Sequence, residues 1–146
     1  MSLMLDTFNF DKMLCFTLYS TTNAMMRNYT KPLAELGITY PQLLVLAALW
    51  NQNNLSSSEL SEQTLFDLGS LTPIIKRLEK SGFVIVSVDT LDRRRKYISL
   101  TESGRDLKGP VGKIFENTKC KLNLTSSEVE YTLKVCQKIK KELISF

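Results

Sequence analysis

Residues 70–83 read SLTPIIKRLEKSGF, and the spacing of their apolar side chains decides the fold. Leu71, Ile74, Ile75 and Leu78 recur at helical intervals and form one stripe, while Ser70, Pro73, Lys76, Arg77 and Lys80 point the other way. Gly82 supplies the C-terminal stop. Upstream, the turn LFDLG (residues 65–69) separates this helix from a shorter one, opened by a capping box of Ser56 with Glu59 and running to about Thr64. Two short helices about a tight glycine-containing turn, the second with a small-polar and basic outer face, describe a helix-turn-helix. Downstream come FVIVSV (83–88), the charged tip DTLDRRR (89–95) and KYISL (96–100). Two β-branched runs around a polar tip predict a hairpin, placed as a wing directly after the second helix.

Further out, Cys15, Leu18, Tyr19, Thr22, Met25, Met26 and Tyr29 share one face of a predicted first helix from about Phe8 to Tyr29. Pro32 and Gly37 interrupt that pattern. Thr39 and Gln42 form a capping box for YPQLLVLAALW (40–50), a helix apolar nearly all round and therefore central to the core. After the hairpin, Thr101 caps a helix from Glu102 to about Lys121, with Pro110 and Gly112 predicting a kink. A last helix follows Thr125 and Glu128. Its Val129, Leu133, Cys136, Ile139 and Leu143 make a seam suited to another helix.

The composition is that of a globular protein, and no apolar run approaches the ~20 residues that span a bilayer. With no basic, apolar leader at the N-terminus, a cytoplasmic protein without membrane contact is expected. Charge is unevenly spread: residues 68–98 hold seven bases against three acids, whereas residues 1–67 hold three bases against six acids. Histidine is absent, which removes the commonest metal ligand and general base. Three cysteines without a C-x-x-C pair argue against a zinc site and a disulfide framework. No catalytic residue, metal or cofactor is expected.

Taken together, LCFTLYS (14–20), LGITYPQLLVLAALW (36–50), SLTPIIKRLEKSGFV (70–84) and LDRRRKYISLTESG (91–104) resemble the MarR family of winged-helix transcription regulators. Cys15, Tyr19, Tyr29 and Tyr40 narrow the resemblance to its OhrR-type peroxide sensors of the two-cysteine kind. The resemblance implies a mainly α fold with a small β-hairpin wing. It implies one MarR-type domain over residues 1–146, with dimerisation helices at about 8–30 and 102–145 and the winged helix-turn-helix at about 39–100. It also implies a homodimer, whose two-fold symmetry sets two recognition helices about one DNA turn apart on an inverted-repeat operator in double-stranded DNA.

The expected DNA-binding residues are Ser70, Thr72, Pro73, Lys76, Arg77, Lys80, Asp92, Arg93, Arg94 and Arg95. Ser70 and Thr72 are short enough to let backbone N–H groups reach phosphate, Arg77 suits phosphate or guanine, and Arg94 suits the minor groove with Asp92 fixing its rotamer. The family commonly has Asp-Ser-Gly-Thr leading into the recognition helix. Here the residues are Asp67, Leu68, Gly69 and Ser70, so a hydroxyl is lost at Leu68.

Cys15 is the expected peroxidatic thiol. Phenolic donors on sulfur favour its ionised, nucleophilic form, and Tyr19, Tyr29 and Tyr40 are the expected donors, the last two across the dimer as the resemblance implies. Because the helix is expected to start near Phe8, Cys15 falls in the second turn or beyond, where the helix dipole adds little. Cys120, in the polar stretch NTKCKLN, resembles the resolving cysteine of that family, pairing with Cys15 of the second subunit; Cys136 lies in the apolar seam. Phe16, Met25 and Met26 suit an organic hydroperoxide as effector. Two alternatives stay open: a MarR-type repressor switched by a small aromatic ligand with incidental cysteines, and a thiol peroxidase, for which no general acid is at hand.

Overall fold

Asp67, not Ser70, opens the helix that decides the fold. In the computed structural model, which describes residues 9–144, Asp67 is the extended N-cap of a helix at Leu68–Lys80. The expected helix limits at Phe8 and residue 145 lie outside the described residues. The order of the elements is α1 (Leu14–Glu35), α2 (Tyr40–Asn51), β1 (Leu55–Ser56), α3 (Ser57–Thr64), α4 (Leu68–Lys80), β2 (Val84–Val88), β3 (Lys96–Leu100), α5 (Glu102–Asp106), α6 (Lys108–Leu122) and α7 (Ser126–Ile144). The fold is mostly helical with one small antiparallel sheet.

The hairpin pairs Val84 with Leu100 through Val88 with Lys96. The two-residue β1 was not foreseen. It pairs Leu55 with Ile98, giving the strand order β1-β3-β2 and tying the helix-turn-helix to the wing. So short a strand has no alternation to read, and Leu55 is recruited by burial against the far side of β3. The core is leucine-rich: Leu46, Leu49, Leu55, Leu60, Leu71, Leu78 and Ile98 are all almost fully buried. The apolar α2 lies at its centre, touching α1, α3, α4 and β3.

Capping follows the expected residues in three places. Thr39 N–H donates to Gln42 Oε1, Ser56 N–H to Glu59 Oε2 and Thr125 N–H to Glu128 Oε2, at 2.8, 2.7 and 2.7 Å. The turn between α3 and α4 contains Leu65 in the left-handed region at φ 60°. Hydroxyls pin that turn, with Ser61 Oγ donating to Phe66 O and Thr64 Oγ1 to Leu60 O, both at 2.6 Å.

Three further helix limits differ from those read in the sequence. Residues Phe10–Lys12 form a 3-10 turn begun by Asn9, and Met13 is extended, so α1 starts only at Leu14. Phe10 packs edge-on against Phe16 across that start, with ring centroids 5.2 Å apart. At its other end α1 runs through Pro32 to Glu35, because Tyr29 and Leu33 are buried and hold the last turn despite the missing N–H. Gly37, at φ 75°, then makes the stop, and Ile38 N–H returns to Leu33 O at 3.1 Å. The break expected at Pro110 comes earlier, at Leu107. Pro110 sits in the first turn of α6, where its absent N–H costs nothing, and Val111 N–H makes the bond to Leu107 O.

The chain divides into two compact units, residues 1–112 and 113–146. The second holds most of α6 and all of α7, and α7 buries none of its residues fully. Among the described residues no single helix is long and apolar enough to cross a membrane.

Candidate nucleic-acid interface and thiol site

Along α4 the buried stripe is Leu71, Ile75 and Leu78, and its other side exposes Ser70, Thr72, Pro73, Lys76, Arg77 and Lys80. These are the residues expected to face DNA. The capping chemistry changes what two of them offer. Asp67 accepts both the Ser70 hydroxyl at 2.7 Å and the Ser70 N–H at 2.8 Å, and the two bonds hold its carboxyl below the usual carboxylate range. Thr72 Oγ1 donates to Leu68 O at 2.9 Å. The Ser70 N–H is therefore not free for phosphate, and both hydroxyl protons are spent within the helix. Lys76, Arg77 and Lys80 supply the side-chain cations on this face.

At the wing, Asp89 orders the loop through backbone bonds. One Asp89 carboxylate oxygen accepts the N–H groups of Leu91 at 2.7 Å and Asp92 at 3.3 Å, and Asp89 N–H closes the loop onto Arg95 O at 2.9 Å. An Asx turn of this kind is visible in a sequence only as an Asp two residues before a turn. Asp92 does not fix the Arg94 side chain. It accepts the Arg94 backbone N–H at 3.0 Å, while its ion pair, at 3.9 Å, is with Arg95. An i,i+3 pair across the tip closes more easily than one between residues two apart. Arg93 and Arg94 thus stand exposed on an ordered tip.

Beside the wing, a cavity of about 470 Å³ is lined by Ser56 of β1, by Ser57, Ser58 and Glu59 of α3, by Arg94 and Arg95 of the wing tip and by Lys96 and Tyr97 of β3. Three cations, Arg94, Arg95 and Lys96, line it with one acid, Glu59. If Arg94 engages a phosphate or the minor groove, Arg94→Ala lowers the slope of log K against log salt by about one and leaves the melting temperature unchanged. Titrations of a DNA duplex at several salt concentrations, with a thermal melt of each protein, measure this.

Cys15 is the second residue of α1 and lies in its first turn. The expectation that it lies a turn or more inside the helix is corrected by the extended Met13. No side chain caps α1, no acid lies in its first turn, and its first backbone bond runs from Thr17 N–H to Met13 O. The N–H groups at this end and the helix dipole favour negative charge nearby. All three cysteines are free thiols; Cys15 and Cys120 are exposed and Cys136 is half-buried.

The tyrosines divide into two groups. Tyr19, one turn beyond Cys15, is 65% exposed. Tyr29 is buried and stacks on Tyr40, ring centroids 5.8 Å apart. Fourteen residues of α-helix separate Cys15 from Tyr29, about 21 Å at 1.5 Å per residue. The fold-back of α2 thus brings Tyr40 to Tyr29 and not to the sulfur of the same chain. Among the described residues no group of histidine, cysteine or acidic side chains could hold a metal.

Residues 38–96, which span the helix-turn-helix and most of the wing, match the MarR family. The HTH-type transcriptional regulator SarZ of Staphylococcus epidermidis is 35% identical over 119 residues, covering 82% of this chain and 80% of SarZ. The chain belongs to the MarR family. It is similar also to the HTH-type transcriptional regulator TtmR of Methylorubrum extorquens, at 44% identity over 104 residues and 71% of the chain. That match spans 53% of TtmR, about half of its length.

Among solved MarR-like structures, reduced AbfR bound to DNA superposes with a TM-score of 0.77 at 31% identity, covering 90% of this chain and 92% of that one. Disulfide-formed AbfR gives 0.67 at 32% identity, covering 91% and 90%. AbfR is a protein of Staphylococcus epidermidis. The MarR-type winged helix is thus found where the apolar periodicity and the hairpin put it, and the chain is a winged-helix transcription regulator by family.

Proposed function

We propose that this MarR-family chain binds an inverted-repeat operator in double-stranded DNA as a homodimer, in the cytoplasm, and represses transcription until an organic hydroperoxide oxidises Cys15. The observation that carries the redox half of the reading is the place of Cys15, exposed in the uncapped first turn of α1. The Cys15 thiolate attacks the outer oxygen of the hydroperoxide and breaks the O–O bond; with one proton taken up, it becomes a sulfenic acid and the peroxide becomes an alcohol. The thiol of Cys120 in the second subunit then condenses with the sulfenic acid, forming a disulfide and releasing water.

In this reading the dimer is built from helices at about 8–30 and 102–145, and the winged helix-turn-helix occupies about 39–100. Exposed apolar side chains support it. Leu14 and Phe16 on α1, and Tyr131, Leu133 and Leu143 on α7, all face solvent in the single chain. Tyr19 would donate to sulfur from its own helix. The separation of about 21 Å along α1 means that Tyr29 and Tyr40 can act on Cys15 only from the second subunit. Ser70, Thr72, Pro73, Lys76, Arg77 and Lys80 would lie in the major groove, with Asp92 to Arg95 at the backbone and minor groove. That AbfR has been solved reduced on DNA and also in a disulfide form supports a thiol switch in a similar protein. The disulfide would draw the dimerisation helices together and respace the two recognition helices.

The resolving role of Cys120 is tested on a non-reducing gel. Wild-type protein treated with one equivalent of cumene hydroperoxide should run as a covalent dimer, and Cys120→Ser as a monomer carrying an oxidised Cys15. A covalent dimer of undiminished intensity in Cys120→Ser would remove Cys120 from the mechanism.

A further inference from the structure

The start of α4 carries an unusual residue for a helix end. Leu68 occupies the first position of the helix, yet 52% of its surface is exposed, so it is not held there by the core. Polar or acidic side chains are the common choice at a helix start, and this first turn contains no acid. Leu68 shares its flank of the helix with Thr72 and Lys76, which follow at four-residue steps and are also exposed. The hydroxyl proton of Thr72 is turned back onto Leu68 O, and that of Ser70 onto Asp67. The N-terminal end of α4 therefore presents an apolar side chain and two hydroxyls already committed as donors, bordered by Lys76, Arg77 and Lys80.

The occupant that fits this combination is duplex DNA. The cations suit its phosphates, and N-terminal residues of a recognition helix are the ones that meet base edges. Within the major groove one base presents an apolar group, the C5 methyl of thymine, which an aliphatic side chain contacts without leaving a polar atom unpaired. On the DNA-binding reading above, we infer that Leu68 is a specificity-determining residue that recognises a thymine methyl group in each half of the operator.

The test uses the reduced full-length protein. Tight-binding duplexes are selected from a random library, each thymine of the selected half-site is replaced by deoxyuridine in both halves, and affinities are measured for wild type and Leu68→Ser. Deoxyuridine removes only the methyl group. Burial of one methyl corresponds to about a fourfold change in affinity, so a symmetric pair should weaken wild-type binding about 15-fold. At that pair Leu68→Ser should bind both duplexes equally, while Arg77→Ala, weaker overall, should keep the full loss. Wild type indifferent to every replacement, or a loss of the same size in Leu68→Ser, overturns the inference and leaves the DNA-binding reading standing. Failure to select any duplex would overturn both.

Discussion

Cys15→Ser protein stays on its operator in cumene hydroperoxide at concentrations that release the wild type. Wild-type affinity should fall between about 5- and 150-fold on oxidation, the usual range of coupling between two sites, and Cys15→Ser affinity should not change. Serine keeps the size and the place of the residue in the first turn of α1, so neither the helix nor its aromatic contact between Phe10 and Phe16 should be disturbed. Only the sulfur is lost, and a hydroxyl cannot reduce the peroxide. Binding followed by fluorescence anisotropy of a labelled operator reads both proteins. Release of both would place the oxidised group elsewhere, with the exposed Cys120 and the half-buried Cys136 as the remaining thiols.

The second large effect is on stability and concerns Gly104. This residue lies in α5 with its Cα against the chain that leads into β2, and a Cβ added there would stand inside contact distance of the Phe83 carbonyl oxygen. That carbonyl accepts Thr101 N–H at 3.1 Å, Thr101 Oγ1 donates to Gly82 O at 2.6 Å, and Trp50 Nε1 donates to Gly104 O at 2.9 Å. A methyl group cannot be accommodated by rotating a side chain, since the obstacle is backbone. Gly104→Ala should cost about 3 kcal/mol, more than offsetting the gain in helix propensity. In a chain of this size that lowers the melting temperature by roughly 10 °C. Thermal unfolding followed by circular dichroism gives the answer; a shift of under about 2 °C would show that β2 and α5 can separate freely.

Where the sequence was most legible, side-chain pattern and local structure agree. The stripe of Leu71, Ile75 and Leu78, the β-branched hairpin and the capping boxes at Thr39, Ser56 and Thr125 all report contacts within a few residues. The residues misread are those whose conformation is decided by other parts of the chain. The burial of Tyr29 and Leu33 carries α1 past Pro32, and pairing with Ile98 makes a strand of Leu55. The start of α1 was missed because apolar periodicity continues through Phe10, although the backbone breaks at Met13. That difference of about six residues puts Cys15 in the first turn of α1 and not further along it.

Of the residues proposed to face DNA, those of α4 could be placed on its exposed side by elimination of the buried stripe. Sequence could not show that Asp67 takes the hydroxyl and N–H of Ser70, or that Asp89 orders the wing, because each depends on a turn geometry compatible with several sequences. The proposed pairing of Cys15 with Cys120 rests on resemblance alone. Cys15 and Cys120 belong to the two separate compact units of the chain, and no periodicity relates them.

The most direct measurement is a titration of the operator-bound wild-type dimer with cumene hydroperoxide, in which DNA release by anisotropy and the Cys15–Cys120 cross-link by peptide mass spectrometry are followed in the same samples. Release should rise in step with the cross-linked fraction, while Cys136 stays reduced. Complete cross-linking with the DNA still bound, or complete release with Cys15 still a free thiol, would contradict a switch centred on Cys15.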